Sequence, residues 1–352
     1  MPTINLATKY STVLDQRFAG KSLTDPWCGT DYDFDGANAI KVWTIGQGVI
    51  GDYDPTATAN RFGTPTELSD ELNTYTLRKK RSFTHTLDIT NVQDQENVKK
   101  ANAVLKQIWD EQLVPEIDRY RLNQWAMGAG IVNVNSTALT KSTIIEALLQ
   151  AQADMSNALV PREGRVIFIT ETMAVKCRLA SELQYNEAFT GDAIVRGQIA
   201  MLSNCPVVAV PDGYMPQGVE FMIKFKRASA DPVKLKMLRA HTTPQGFAGT
   251  LLEGLTRYDS FVLSQKAKGI YVYTREGAAL PTISASGGKV TLSGDSGAEI
   301  LYTTDGTNPK CSATAKVYSA PFTVSADCTV KAAARVSGKL SSGIAEKAVS
   351  AA

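Results

Sequence analysis

The sequence predicts a mixed α+β chain that ends in a small all-β domain, and three observations point there. Up to about residue 275, helical and strand-like patterns are interspersed without a regular βαβ repeat. Beyond it, short runs of Val, Thr, Ile and Ala alternate with Gly, Ser, Asp and Asn, and no helical period survives. The chain has 352 residues, more than one small core organises, so two or three folded units are expected.

The elements follow in order. Residues 1–36 carry only scattered apolar side chains and predict little regular structure. They close on "DYDFDG" (31–36), whose alternating acids resemble the start of a calcium loop. Counting from Asp31, however, loop position 9 is Ala39 and position 12 is Val42, where a calcium loop needs oxygen ligands, and a strand follows instead of a helix. The acids are therefore read as a polar lead into that strand, with Tyr32 and Phe34 on the packing side. "AIKVWTI" (39–45) alternates like a strand, and "RSFTHTLDIT" (81–90) is its expected partner, with Phe83, His85, Leu87 and Ile89 on one face. The polar Gly/Pro/Thr-rich stretch between them is too long for an ordinary loop and predicts a projecting hairpin arm.

A long helix is expected from a cap at Asn91 to about Met127, with Val98, Ala101, Leu105, Ile108, Ile117 and Tyr120 as its apolar positions. Pro115 should kink or divide it, because the ring removes an amide donor and clashes with the previous turn. A second amphipathic helix places Ile144, Leu148, Ala151, Met155 and Leu159 on one stripe. "VPREG" turns it into the strand "RVIFIT", and the short helix "ETMAVKCRLA" follows. "CPVVAVP", "VEFMIKF", 261–263 and 270–273 read as further strands. Residues 276–288, rich in Gly, Ala, Ser and Pro, predict a linker. Strands are expected near 289–293, 299–304, 322–324 and 328–334.

Composition excludes several functions. With 37 basic and 35 acidic side chains the net charge is +2, which gives no reason to expect nucleic acid or anionic membrane as a direct partner. No apolar run reaches the roughly 18 residues of a membrane span, and the N-terminus lacks a secretory apolar core, so synthesis in the cytoplasm is expected. None of the five cysteines forms a C-x-x-C pair, which argues against structural zinc and a disulfide framework. Whether Cys311 and Cys328 pair depends on geometry that spacing alone leaves open.

"GDSG" (294–297) has the letters of a serine nucleophile, but His85 and His241, the two histidines, lie in the other domain. A turn between strands is the expected role. "RKKR" (78–81) opens a strand, so alternate side chains face opposite ways, and a solvated or interface face is expected for it. Its acidic counterparts are sought in "ELSDEL" (67–72) or in Asp110, Glu111 and Glu116. No pattern for phosphate, dinucleotide or metallohydrolase chemistry occurs, so no enzyme and no cofactor is expected.

Several runs carry a resemblance. "LATKYSTVLDQRF", "DYDFDGANAIKVWTI", "NRFGTPTEL", "RSFTHTLDITN", "PEIDRYRL", "VPREGRVIFIT", "DPVKLKMLRAH" and "YDSFVLSQKAKGIYVY" together resemble major capsid proteins of tailed bacteriophages with the Hong Kong 97-type fold. The resemblance covers about 1–275 in the expected order. It implies an N-terminal arm at 1–37, an extended E-loop with its stems at 38–90, and a P-domain spine helix at 91–129. An A-domain at 130–218 and P-domain closing strands at 219–275 would follow, then the linker and an immunoglobulin-like domain at 289–352. The implied role is self-assembly as pentamers and hexamers of an icosahedral head shell around double-stranded DNA, without sequence-specific contact. A portal and a separate scaffolding protein would be partners, and the shell would assemble in the bacterial cytoplasm without membrane.

Arg78, Lys79, Lys80, Arg81, Glu67, Asp70 and Phe34 are the expected subunit contacts. The family's Lys–Asn crosslink finds no matching residues here. The C-terminal part, through Tyr302, Asp305, Gly306, Pro309, Tyr318, Pro321 and Phe322, resembles the bacterial immunoglobulin-like domain of chitobiase-type enzymes. That implies a module displayed on the outer surface, either a spacer or an adhesion domain for glycans or mucus through Tyr302, Asp305 and Tyr318. An encapsulin-like compartment shell and an extracellular carbohydrate-binding protein are the alternatives.

Overall fold

The computed structural model describes residues 21–30, 32–35, 39–45, 53, 55–56, 60–62, 70–88, 106–180, 198–241, 246, 249–312 and 314–351. The N-terminal part of the arm, Asp31, Gly36, Glu67 and the helix expected over 91–105 lie outside them.

Three strands make the projecting hairpin: β1 (Asp33–Asp35), β2 (Ala39–Ile45) and β3 (Asp70–Thr76), antiparallel in that order. This corrects the expected pairing. β2 runs against β3, and the segment expected to be its partner, β4 (Lys79–Asp88), joins another sheet. Both strands alternate, and periodicity alone does not say which alternating neighbour a strand chooses.

The spine helix is continuous from 106 to 128 among the described residues. Pro115 neither divides nor ends it. A π turn over Trp109–Leu113 precedes the α-helix α1 (Val114–Gly128), and the Val114 amide reaches back five residues to the Trp109 carbonyl. The widened turn makes room for the ring that a regular α-helix would push into the carbonyl four residues earlier.

The body is built on one six-stranded mixed sheet. Its members are β5 (Ile131–Val134), β6 (Arg165–Thr170), β7 (Gln198–Leu202), β8 (Cys205–Val210), β9 (Val219–Phe225) and β14 (Ile270–Thr274), in the order β5-β14-β9-β6-β8-β7. The expected A-domain and the first closing strand thus share a sheet, since β9 lies between β14 and β6. The central strands are buried on both faces, which explains their unbroken apolar runs. Ile167, Ile169, Phe221, Ile223, Tyr271 and Tyr273 face one core with helices α2 (Ile144–Asn157) and α3 (Glu171–Leu179). The alternate residues Val166, Phe168, Met222 and Val272 face a second core with Leu122 and Trp125 of α1.

Arg165 ties α2 to the turn that follows it: its guanidinium donates to the carbonyl of Gln152 within the helix and to those of Val160 and Pro161 beyond its end. The stripe expected on α2 is buried as far as Met155, but Leu159 lies beyond the helix end at φ 60° and is exposed. Short β10 (Ser229–Ala230) pairs with β13 (Phe261–Val262). Between them in sequence, β11 (Val233–His241) and β12 (Gly249–Tyr258) form a sheet with β4.

The C-terminal region is a sandwich of β15 (Thr282–Ser286), β16 (Lys289–Ser293) and β19 (Phe322–Thr323) against β17 (Glu299–Thr303), β18 (Lys316–Val317), β20 (Cys328–Arg335) and β21 (Ala345–Val349). The expected linker is shorter than 276–288, because β15 occupies 282–286 and pairs with β16. β18 and β21 also went unforeseen. "GDSG" is the turn after β16, where the Asp295 carboxylate accepts from the Ala279 amide at 2.9 Å. The five cysteines are free thiols, Cys311 and Cys328 included.

Candidate assembly surfaces

Two sets of residues fix the N-terminal segment 22–29 and the C-terminal sandwich to the spine helix. The first holds the N-terminal segment. Asp118 sits on the buried face of α1 and accepts from Ser22 Oγ at 2.7 Å, the Leu23 amide at 2.9 Å and Thr24 Oγ1 at 2.5 Å. One turn on, Arg121 donates to Thr24 Oγ1 at 3.0 Å and to Asp25 Oδ1 at 2.5 Å. Burial raises the Asp118 pKa, although these donors and Arg121 favour the charged form.

Deeper, Asp231 accepts from Trp125 Nε1 at 2.8 Å, from Ser229 and Ser260 hydroxyls at 2.5 Å each, and from the Gly29 amide at 3.3 Å. Lys224 lies over the Trp125 ring at 4.3 Å and donates to the Trp27 carbonyl at 2.7 Å. Burial lowers its pKa against the attraction of Asp231. Gly29 is required here: a Cβ would stand 1.8 Å from the Ser229 carbonyl oxygen. Residues 22–29 are therefore threaded into the spine by charge and hydrogen bonds, with Leu23, Trp27 and Cys28 packed on the core that contains Trp125.

The basic run lies beside them. Arg78 grips the buried Asp259 through its backbone amide at 2.8 Å and Nε at 3.1 Å, and Tyr120 Oη donates to the same carboxylate at 2.8 Å. Arg81 donates to Glu116 at 2.6 Å, and Tyr258 Oη adds a second bond to that carboxylate at 2.6 Å. Lys79 covers the Tyr120 ring at 5.2 Å, and Lys80 is exposed. Two of the four basic residues thus tie β4 to the spine within one chain. Glu116 is the acidic counterpart anticipated from the sequence, and Asp259 was missed.

At the hairpin base Phe34 is 44% exposed, edge-on to Tyr32 at 5.6 Å, with Lys234 Nζ 4.7 Å from its ring centre. Asp35 pairs with Lys41 at 3.0 Å. Asp70 begins β3 opposite Ile45. Three further aromatics stand out on the arm: Trp43 at 63%, Tyr53 at 52% and Phe62 at 89% exposure, the last two in ring contact. Trp43 lies in a strand and Tyr53 and Phe62 in the loop beyond it, where hydrophobic periodicity carries no sign of their exposure.

The second set fixes the sandwich. Lys310 Nζ donates to the Ala129 carbonyl at 2.7 Å and Ser341 Oγ to the Met127 carbonyl at 3.2 Å, so both serve the C-terminal end of α1. The Ile344 amide donates to the Gly130 carbonyl and the Asn308 amide to Ser264 Oγ, each at 2.9 Å. Lys268 pairs with Glu346 at 2.6 Å, and Leu340 is buried in the core that contains Trp125. These contacts dock the sandwich on the body. Tyr302 stacks on Phe322 at 4.4 Å and meets Tyr318 edge-on at 6.4 Å, all three packed against the sandwich core. Asp305 is exposed, but its carboxylate is taken by the Thr307 amide at 3.0 Å and by the Thr307 and Thr314 hydroxyls. Desolvation raises its pKa, and these bonds outweigh that and hold it low.

Comparison with known structures decides the fold. A chain of Mycobacterium phage Che8 superposes with TM-score 0.58 at 15% identity, over 77% of this chain and 97% of its own. The capsid of cyanophage P-SCSP1u gives 0.57 at 13% identity, over 76% and 92%. This chain has a phage capsid fold. The mature capsid of bacteriophage PhiM1 agrees, at TM-score 0.55 and 11% identity over 77% and 92%. The capsid fold thus spans nearly the whole of each relative and leaves about a quarter of this chain outside it. The C-terminal remainder has its own match: the family described as Fn3 associated aligns with residues 290–349. No curated protein sequence matches the chain.

Proposed function

We propose that the chain is the major capsid protein of a tailed phage, self-assembling into the icosahedral head shell that encloses its double-stranded DNA. The observation that carries this reading is the superposition on phage capsid chains over 92–97% of their length. The geometry supports it independently. The hairpin carries Trp43, Tyr53 and Phe62 exposed in the single chain, apolar surface of the kind that neighbouring subunits cover. Phe34 and Asp70 lie in that hairpin and Arg78, Lys79, Lys80 and Arg81 follow it in sequence, and subunit contact through these residues and Glu67 belongs to the same proposal. The role is structural rather than catalytic. Partners are further copies of the chain, a portal and a separate scaffolding protein, with assembly in the host cytoplasm.

The sandwich is proposed to face outward as a brace. Glycan adhesion through Tyr302, Asp305 and Tyr318 is disfavoured, because a sugar platform needs exposed ring faces and these rings pack inward. Expression of the chain with and without its phage's scaffolding protein, followed by negative-stain microscopy, tests the proposal. Closed shells that hold DNA in infected cells are the expected result. Shells filled with protein cargo point to an encapsulin-like compartment instead, and a permanently monomeric chain overturns both.

A further inference from the structure

The docking of the sandwich creates a cleft of about 840 Å³ between it and the body, the size of a site for a drug-sized molecule or a short peptide. One wall comes from the end of α1, β3 and β13, the other from 308–311 and the β20–Ser341 stretch. Its charged lining is one-signed. Arg78, Lys310, Arg335 and Lys339 face it, and no Asp or Glu is among the described residues that line it. Asp259 neutralises Arg78 from below and burial disfavours the charged form of Lys310, whereas Glu299 reaches Arg335 only at 4.0 Å, which leaves Arg335 and the exposed Lys339 as the freer charges. Lys310 spends bonds on two carbonyls and an ammonium has three donors.

A second observation is independent of charge. Asn308 is 1% exposed, lines the cleft, and its Nδ2 has no acceptor among the described residues. A buried amide donor left unpaired costs about 1–3 kcal/mol, so a group that supplies an acceptor there gains what the empty protein lacks.

We propose that this cleft binds an extended acidic peptide of a separate protein, with carboxylates at Lys339 and Arg335 and an apolar side chain against Phe261. A nucleic acid strand fits less well. Single strands bind by stacking bases on free aromatic faces, whereas Phe261 is engaged by the Tyr75 ring at 5.0 Å and by Arg78 at 5.7 Å. Asp70 and Glu71 of this chain lie in β3 paired with β2, so they are not the free extended segment that the cleft would take.

The test is fluorescence anisotropy of a labelled Glu-Leu-Glu-Leu-Glu-Leu peptide titrated with the full-length chain, before and after assembly. Saturable binding is expected, with affinity falling at least tenfold between low and moderate salt and at least tenfold in the Arg335→Ala/Lys339→Ala double variant. Both side chains are exposed, and an unchanged melting curve confirms that the variant is folded. Asn308→Asp, which puts a carboxylate in the wall, should weaken the peptide further. Binding that the double variant leaves untouched, no saturation at millimolar chain, or an oligothymidylate that competes equally well overturns the proposal. Failure here leaves shell formation unaffected, so the two readings are tested separately.

Discussion

The same helix holds both ends of this molecule, and it holds them by opposite means. The N-terminal segment is fastened to the buried face of α1 by ionised side chains, Asp118 and Arg121, which lie three residues apart where apolar residues would ordinarily stand. The C-terminal sandwich is fastened to the open end of α1, mainly by donors to backbone carbonyls from Lys310, Ser341 and Ile344, with Leu340 as its apolar plug. Buried charges hold a segment in one register and tolerate no substitute, because removing one partner strands the other. Carbonyl capping exploits groups that every helix end exposes, so an added domain can use it without redesigning the helix. That difference suits a segment threaded into the body and a sandwich that matches a family of its own over residues 290–349.

Breaking the N-terminal fastening should have the largest effect. Asp118→Ala strands the Ser22 and Thr24 hydroxyls and the Leu23 amide while Arg121 keeps Asp25, and costs about 3–5 kcal/mol in all, since each buried donor left unpaired costs about 1–3 kcal/mol. Chemical denaturation measures it, and trypsin should then cut near Lys21. A cost below about 1 kcal/mol would mean the segment is held otherwise.

Leu340→Ala should come next, at about 2–4 kcal/mol for a truncated core leucine. Unlike Asp118→Ala it should loosen only the sandwich, seen as a larger radius in small-angle scattering with the body's melting transition retained. An equal effect on both ends would erase the contrast drawn above.

Lys310 sharpens it through pH. Burial in the seam pulls its pKa from 10.5 down to about 7. Between those values the unfolded chain binds a proton that the folded chain has shed, so stability rises with pH through that window and the penalty is fully present below about 7. Lys310→Met should flatten the slope between pH 7 and 10, measured by denaturant midpoints, and a slope identical to the parent chain contradicts the burial. The smallest effect belongs to Lys268→Ala: its pair with Glu346 is exposed on both sides and contributes at most about 1 kcal/mol.

Much of this was legible in the residues, and what was not has physical causes. The strands of the body announced themselves because burial on both faces leaves uninterrupted apolar runs, as in Arg165–Thr170 and Val219–Phe225. The pairing of β2 was misread because two alternating strands competed for it, and the choice is made by turn and tertiary context. Pro115 was read by its cost alone, and the π turn that absorbs that cost has no composition of its own. The Asp118 and Arg121 fastening hid behind a rule that puts charge outside. Its trace is the spacing 118, 121, 122, 125, a helical face on which acid and base sit in line with Leu122 and Trp125. The docking of the sandwich was illegible because donors to backbone carbonyls leave no pattern in either partner's sequence. Asp33 and Asp35 of "DYDFDG" lie in a short hairpin strand, with Asp35 paired to Lys41 and Phe34 facing outward.

The most direct test is a cryo-electron microscopy reconstruction of the assembled chain. The account predicts a closed icosahedral shell with the sandwich ordered at the end of the spine helix, the Lys310 side chain meeting the Ala129 carbonyl. Particles that never close, or a shell whose C-terminal domain averages to a blur away from Gly130, would contradict it.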